Sequence, residues 1–174
     1  MQLLTELSPQ VKLESTPTPL RITQLRGLLE RDVSILTGLG ALYGAYDMES
    51  GIEGFMTGFA FPEALAAMVN ADKAGRPDEV RRIYQHWLPL MVFEQQPGVG
   101  VRKEIYRLRG MIADGHVRHP APSIAPSAAK MLAAAIEATL PGVDVTKPLD
   151  IGSVLDGTKP LNTSSRPFSV GELS

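Results

Sequence analysis

Lys12 is the first residue of this chain whose placement could do covalent chemistry. It lies in Val11-Lys12-Leu13-Glu14, a short candidate strand bounded by Pro9 and by Ser15-Thr16-Pro17. Strand alternation puts Lys12 and Glu14 on the face opposite Val11 and Leu13. A lysine amine attacks a ketone carbon only when neutral. With a pKa of about 10.4, a free lysine is neutral in roughly one molecule in 2,500 at pH 7. Burial among apolar groups disfavours the ammonium and raises that fraction. On the strand alone, a lysine in a polar-alternating segment reads as a solvated cation, and enclosure is what would make it a nucleophile.

Other groupings carry less. Gly38 and Gly40 are followed by Gly44, one residue too late for the G-x-G-x-x-G spacing that would cradle a dinucleotide. His116 and His119 lie among Asp114, Gly115 and Pro120, a loop composition with no third metal ligand in sight. Tyr84 and Trp87 fall on an apolar stripe and read as core. Arg81, Arg82 and the Arg102-Lys103 pair read as solvated helix faces. The sequence holds no cysteine, which removes disulfides, thiolate metal sites and thiol catalysis.

The elements that would position these residues alternate at first. The strand at Lys12 is followed by a helix from about Pro19 to Glu30, with Ile22, Leu25, Leu28 and Leu29 on one face. Pro19 suits a first turn, where its missing N–H would have no partner. A second strand, Val33-Ser34-Ile35-Leu36, ends at Thr37-Gly38-Leu39-Gly40. A helix through Leu42, Ala45, Tyr46 and Glu49 then stops at Gly51. The third strand is Gly54 to Phe59. Helices follow from Pro62 to a break at Gly75-Arg76-Pro77, and through Val80, Ile83, Tyr84, Trp87, Leu88 and Met91 at 3-4 spacing. Two more run through Ile105 and Leu108 and from Ala128 to Leu140. Strand–helix alternation predicts an α/β fold with parallel pairing. Three strands leave two open edges, a poor stand-alone sheet. The stretch from Val145 to Ser174 is broken by Pro and Gly without a sustained period and predicts a loosely ordered tail.

The 174 residues are enough for one domain, 44% hydrophobic and 21% charged, ordinary globular values. A net charge of −2 gives no footprint for nucleic acid and no basic cluster for a membrane surface. No basic, apolar leader opens the chain, and no stretch reaches the roughly 18 apolar residues of a membrane span. These features predict a soluble, cytoplasmic location.

Three segments together resemble the dihydrodipicolinate synthase/N-acetylneuraminate lyase family. Val11-Lys12-Leu13-Glu14 with Thr16-Pro17-Thr18-Pro19 is similar to the sixth strand of that family's (β/α)8 barrel, which carries an imine-forming lysine. Leu36-Thr37-Gly38-Leu39-Gly40 is similar to the end of the seventh. Gly54-Phe55-Met56-Thr57-Gly58-Phe59-Ala60-Phe61-Pro62-Glu63 is similar to the eighth strand and the start of its helix. The segment Phe93 to Gly100, with Arg102-Lys103-Glu104 and Arg109-Gly110, resembles the helical C-terminal region of one branch.

The resemblance implies a partial barrel, about strands six to eight with their helices, over residues 1–140, and a flexible tail over 141–174. It implies Lys12 as the catalytic Schiff-base lysine, with Gly38 and Met56 approaching bound pyruvate through backbone groups. It implies no cofactor and no metal, a small 2-oxo acid as ligand, and a homo-oligomer or association through open sheet edges. The family's Gly-Thr-Thr motif and strand-borne tyrosine have no counterpart here, since Tyr43, Tyr46, Tyr84 and Tyr106 all fall on helical stretches. The chain is therefore expected to be a truncated lyase, weak or inactive alone, or else a non-catalytic module pairing through its sheet edges.

Overall fold

Three short strands run parallel in the order β1 (Gln10–Leu13), β2 (Ser34–Thr37) and β3 (Gly54–Phe55). They belong to a computed structural model that describes residues 10–29, 33–95 and 98–157. Between the strands stand α1 (Thr18–Leu28) and α2 (Gly44–Glu49). Five helices come after β3: α3 (Pro62–Lys73), α4 (Pro77–Glu94), α5 (Val99–Leu108), α6 (Pro126–Thr139) and α7 (Ile151–Gly157). The α/β alternation expected from the sequence is present. Among the described residues the sheet does not close, and β1 and β3 each keep one unpaired edge.

Pairing is in register, Lys12 opposite Leu36 and Leu36 opposite Gly54. Because side chains alternate along each strand, one face carries Val11, Leu13, Ile35 and Thr37, and the other carries Lys12 and Leu36. Ile35 and Thr37 are wholly buried, whereas Lys12 is exposed. The helices therefore cover the first face and leave Lys12 on the open one.

Helix α4 is the spine. Its 3-4 stripe buries Val80, Ile83, Tyr84, Trp87, Leu90 and Met91. Trp87 is fully buried, with the Phe61 ring 5.0 Å and the Phe59 ring 6.2 Å from its own. Both phenylalanines come from the segment after β3, so one indole joins the sheet's exit to the helical layer. Full burial of such a ring contributes several kcal/mol. The expectation that the Tyr84 and Trp87 stripe is core agrees with this packing. Beside it, the His86 ring lies edge-on to Trp87, its Nε2 buried without a hydrogen-bond partner. Burial pushes the His86 pKa down, the Thr139 backbone opposes this and the Arg82 charge adds to it.

Two elements depart from the expectation. β3 stops at Phe55 instead of Phe59, because Thr57 and Gly58 turn aside to meet other segments at the strand ends. The loosely ordered tail expected from 141 onward is corrected for residues 141–157. Val143, Val145 and Leu149 pack on the core, and α7 buries Ile151, Val154 and Leu155. Arg82 of α4 donates to the Leu155 carbonyl at 2.8 Å. Apolar residues at i, i+3 and i+4 (151, 154, 155) carried that helix, but its seven residues, about two turns, are too short for a period to stand out. Residues 158–174 lie outside the described residues.

Candidate active site

Leu13, Thr37 and Phe55 form one row across the sheet, so the three strands end together. Parallel strands that end together bring their next residues side by side, and here those are Glu14, Gly38 and Met56. The Met56 N–H donates to the Thr37 carbonyl at 2.8 Å and extends the ladder by one bond. Above this row lies a polar cavity of about 350 Å³. Lys12, Glu14, Leu39, Gly40 and the run Met56–Gly58 line it from the strand side. The end of α4 (Glu94, Gln95), Gly98 and Arg102 of α5 close the other side.

The Lys12 Nζ lies 2.9 Å from Glu14 Oε1, with the lysine side chain 36% exposed. Alternation puts the two on one face, and two residues apart on a strand they can pair. The apolar enclosure that would make this amine a nucleophile is absent among the described residues. Gly38 is buried and does not line the cavity. A Cβ there would lie 2.8 Å from the Glu14 Cδ, so the missing side chain is what admits that carboxylate. Met56 does line it, 48% exposed.

Between β2 and α2 the chain makes a feature that sequence pattern does not anticipate. Leu39, Gly40 and Ala41 all adopt positive φ, 52°, 63° and 59°. Left-handed backbone costs a non-glycine residue about 1–2 kcal/mol, so two residues here hold strain. Three contacts hold the turn. The Gly40 N–H donates to Thr57 Oγ1 at 2.7 Å, Gln95 Nε2 donates to the Leu39 carbonyl at 3.1 Å, and Tyr84 donates its hydroxyl to the Leu42 carbonyl at 2.6 Å. A Cβ on Gly40 would overlap the Gln95 amide nitrogen.

The α4–α5 corner supplies the cavity's other charges. Glu94, with its side chain 1% exposed, accepts from Arg102 Nε at 2.7 Å and from the Ala60 N–H at 2.8 Å. Burial pushes the Glu94 carboxyl pKa up, and Arg102 and the Ala60 N–H pull against it. Arg102 is thus not the solvated helix residue that its sequence neighbourhood suggested. Nearby, Arg109 donates to the Ala60 carbonyl at 2.7 Å, pairs with Glu63 and lies over the Phe61 ring. His116 and His119 sit in the loop between α5 and α6, and no metal-ligand cluster occurs among the described residues.

The residues missed from sequence (Thr57, Glu94, Gln95 and Arg102) are ordinary polar types that only the fold brings near Lys12. One signal was available. Glu94 is an acidic residue in the buried stripe begun by Val80 and Ile83, and a carboxylate there requires a partner.

No family model matches the chain. It is 38% identical over 91 residues to an L-2-keto-3-deoxyarabonate dehydratase of Azospirillum brasilense, over 51% of this chain and 29% of that protein. Its fold matches the crystal structure of a dihydrodipicolinate synthase from Rhodopseudomonas palustris with a TM-score of 0.70 and 34% identity, over 74% of this chain and 44% of the synthase. A putative dihydrodipicolinate synthetase from Pseudomonas aeruginosa, 22% identical with a TM-score of 0.70 over 79% of this chain and 48% of that one, shares the fold. The parallel α/β fold is shared with these solved structures, and the sequence is similar to the dehydratase and to the Rhodopseudomonas palustris synthase. The chain is thus similar to proteins of the dihydrodipicolinate synthase family, and its coverage fits the C-terminal part of those proteins. It spans less than half the length of these proteins.

Proposed function

We propose that this chain carries the imine-forming part of a lyase acting on pyruvate or a related 2-oxo acid. In this reading β1, β2 and β3 are strands six to eight of a (β/α)8 barrel. The observation that carries it is the strand-end row, with Lys12 at the rim of a polar cavity and the segments after β2 and β3 beside it. Catalytic groups of such barrels stand at the C-terminal ends of their strands. The name of the Azospirillum brasilense dehydratase, a protein acting on a 2-keto acid, supports the substrate class.

The chemistry is that of the amine. Neutral Lys12 adds to the C2 carbonyl carbon, and the carbonyl oxygen leaves as water, giving a protonated imine. That cation takes up the electron pair left when a proton or carbon group departs from C3. The resulting enamine takes a proton or another electrophile at C3, which restores the imine, and hydrolysis by water then returns the amine and the 2-oxo product. Gly38 and Met56 serve as backbone neighbours of the bound acid. The exposed, ion-paired amine predicts slow imine formation until further strands enclose it.

Borohydride reduction with pyruvate tests this. Reduction of the chain mixed with the N-terminal portion of a relative should leave an adduct that peptide mapping finds on Lys12, absent from Lys12→Ala. The chain alone should trap far less, since positioned acid–base groups contribute roughly 10²- to 10⁴-fold. An adduct surviving Lys12→Ala, or none in the mixture, would remove the proposal. The open edges of β1 and β3 favour a second reading, a non-catalytic module that associates edge to edge. Concentration-dependent sedimentation together with no Lys12 adduct in the mixture would favour it.

A further inference from the structure

We propose that Asp47 is a positioning residue beneath the strand-end cavity, and that its gain or loss of a proton is passed through Thr37 and Gly38 to the Glu14–Lys12 pair. The tie stands on the fold alone. Only its use in placing an imine-forming Lys12 rests on the reading above.

Asp47 lies in α2 and is 2% exposed. Two buried threonines from other elements face it, Thr18 in the first turn of α1 and Thr37 at the end of β2. Each hydroxyl lies close enough to steady the carboxylate, yet neither of them, nor Asp47 Oδ1, completes a hydrogen bond of ordinary geometry. All three oxygens are sealed from solvent.

No cation among the described residues compensates this carboxylate. Within and beside α2, Tyr43 and Tyr46 carry no charge at neutral pH, and Glu49 is paired with Arg81 of α4. Tyr84 of α4 donates to the Leu42 carbonyl. On α1, Arg21 bonds Gln24, and Arg26 is taken by Glu53 and by the Gly51 and Val33 carbonyls. Lys12 is taken by Glu14. Burial therefore dominates and pushes the Asp47 carboxyl pKa up, while the Thr18 and Thr37 hydroxyls pull against it. A carboxyl so placed takes up a proton more readily than one in water.

The proton changes the bonding. An ionised carboxylate only accepts, so both hydroxyls turn toward it and draw their segments in. A neutral carboxyl carries a donor of its own, and one hydroxyl must rotate to receive it. Thr37 stands in the strand-end row, where its carbonyl takes the Met56 N–H, and Gly38 follows directly. Glu14 packs against Gly38, where a Cβ would lie 2.8 Å from the Glu14 Cδ, and the same carboxylate holds Lys12 Nζ at 2.9 Å. A small shift of Thr37 thus reaches Lys12 through contacts alone. Thr18, just past the exit of β1, ties that strand to the same carboxyl. For a merely structural role asparagine, the neutral isostere, would serve without the charge.

Amide and carboxyl chemical shifts of the full chain, recorded without any 2-oxo acid, test this. The Asp47 carboxyl should titrate above the ordinary aspartate value of about 3.9, and the Thr18, Thr37 and Gly38 amides should step at the same midpoint. Glu14 also lies beside Gly38, so Asp47→Asn separates the two sources. It should remove the shared step and leave Gly38 near its low-pH position. Thr37→Val, which keeps the shape and deletes the hydroxyl, should raise the Asp47 midpoint and lose the step at Gly38 while Thr18 keeps it. The inference is overturned by an Asp47 midpoint at the ordinary value, by a Gly38 amide that does not follow Asp47, or by a shared step that survives in folded Asp47→Asn. Failure of the imine reading looks different: the coupled shifts would stand while borohydride and pyruvate leave no adduct on Lys12 in the mixture with a relative's N-terminal portion.

Discussion

Replacing Gly40 with alanine should destabilise the chain through two separable effects. At φ 63° and ψ 20° the residue is left-handed, which costs an L side chain about 1–2 kcal/mol. The new Cβ would also occupy the position of the Gln95 amide nitrogen. That amide is the end of a flexible side chain and can swing away, but it then gives up its bonds to the Leu39 and Met91 carbonyls, now 3.1 and 3.2 Å long. At a net of about 1 kcal/mol each, the loss approaches 2 kcal/mol. Alanine stiffens the unfolded chain, which offsets about 0.5 kcal/mol. The sum is about 2.5–3.5 kcal/mol, or a melting temperature lower by about 5–14 °C for a domain of this size. Far-UV circular dichroism on heating gives the number. The decisive measurement is a double-mutant cycle. In a Gln95→Ala background the collision is gone, so Gly40→Ala should cost only about 1 kcal/mol, with a coupling of about 1–2 kcal/mol. Strict additivity, within about 0.5 kcal/mol, would refute the contact.

Three further predictions concern stability away from the cavity. Burial depresses the folded His86 pKa, so the unfolded chain takes up a proton that the folded chain resists. Stability should therefore fall as pH drops below the ordinary histidine value of about 6.5. Urea unfolding of His86→Phe at several pH values should show a flatter fall between pH 7 and 5 than wild type, and an equal slope would contradict this. Leu155, 5% exposed in α7, should cost about 2–4 kcal/mol on truncation to alanine. Limited proteolysis should likewise spare the span Pro141–Gly157 until the fold opens, and early cutting there would restore the loose-tail reading for that span.

Much of this architecture was legible in the sequence because it is local. Alternation in Val11–Glu14 fixed which residues share a face with Lys12, and the pair with Glu14 results from it. The 3-4 stripe of α4 identified Trp87 and Tyr84 as core, since a helix this long repeats its pattern over several turns. Pro and Gly marked the boundaries of α3 and α4, because their backbone restrictions act within one or two residues. The short α7 escaped for the same reason: its seven residues, about two turns, barely repeat a pattern.

What only the tertiary structure decided is the company that Lys12 keeps. Glu94, Gln95 and Arg102 lie more than 80 residues from it, on α4 and α5, and reach the strand ends only after Trp87 packs against Phe59 and Phe61. Nothing in the residue types of Arg102-Lys103 distinguishes a solvated helix face from a cavity wall. The difference is the buried carboxylate of Glu94 behind the arginine and the missing Cβ of Gly58 in front of it. The left-handed turn at Leu39–Ala41 is likewise beyond local propensity, which disfavours positive φ at leucine and alanine. Thr57 and Gln95 from distant segments outweigh that preference, and only the assembled fold supplies them.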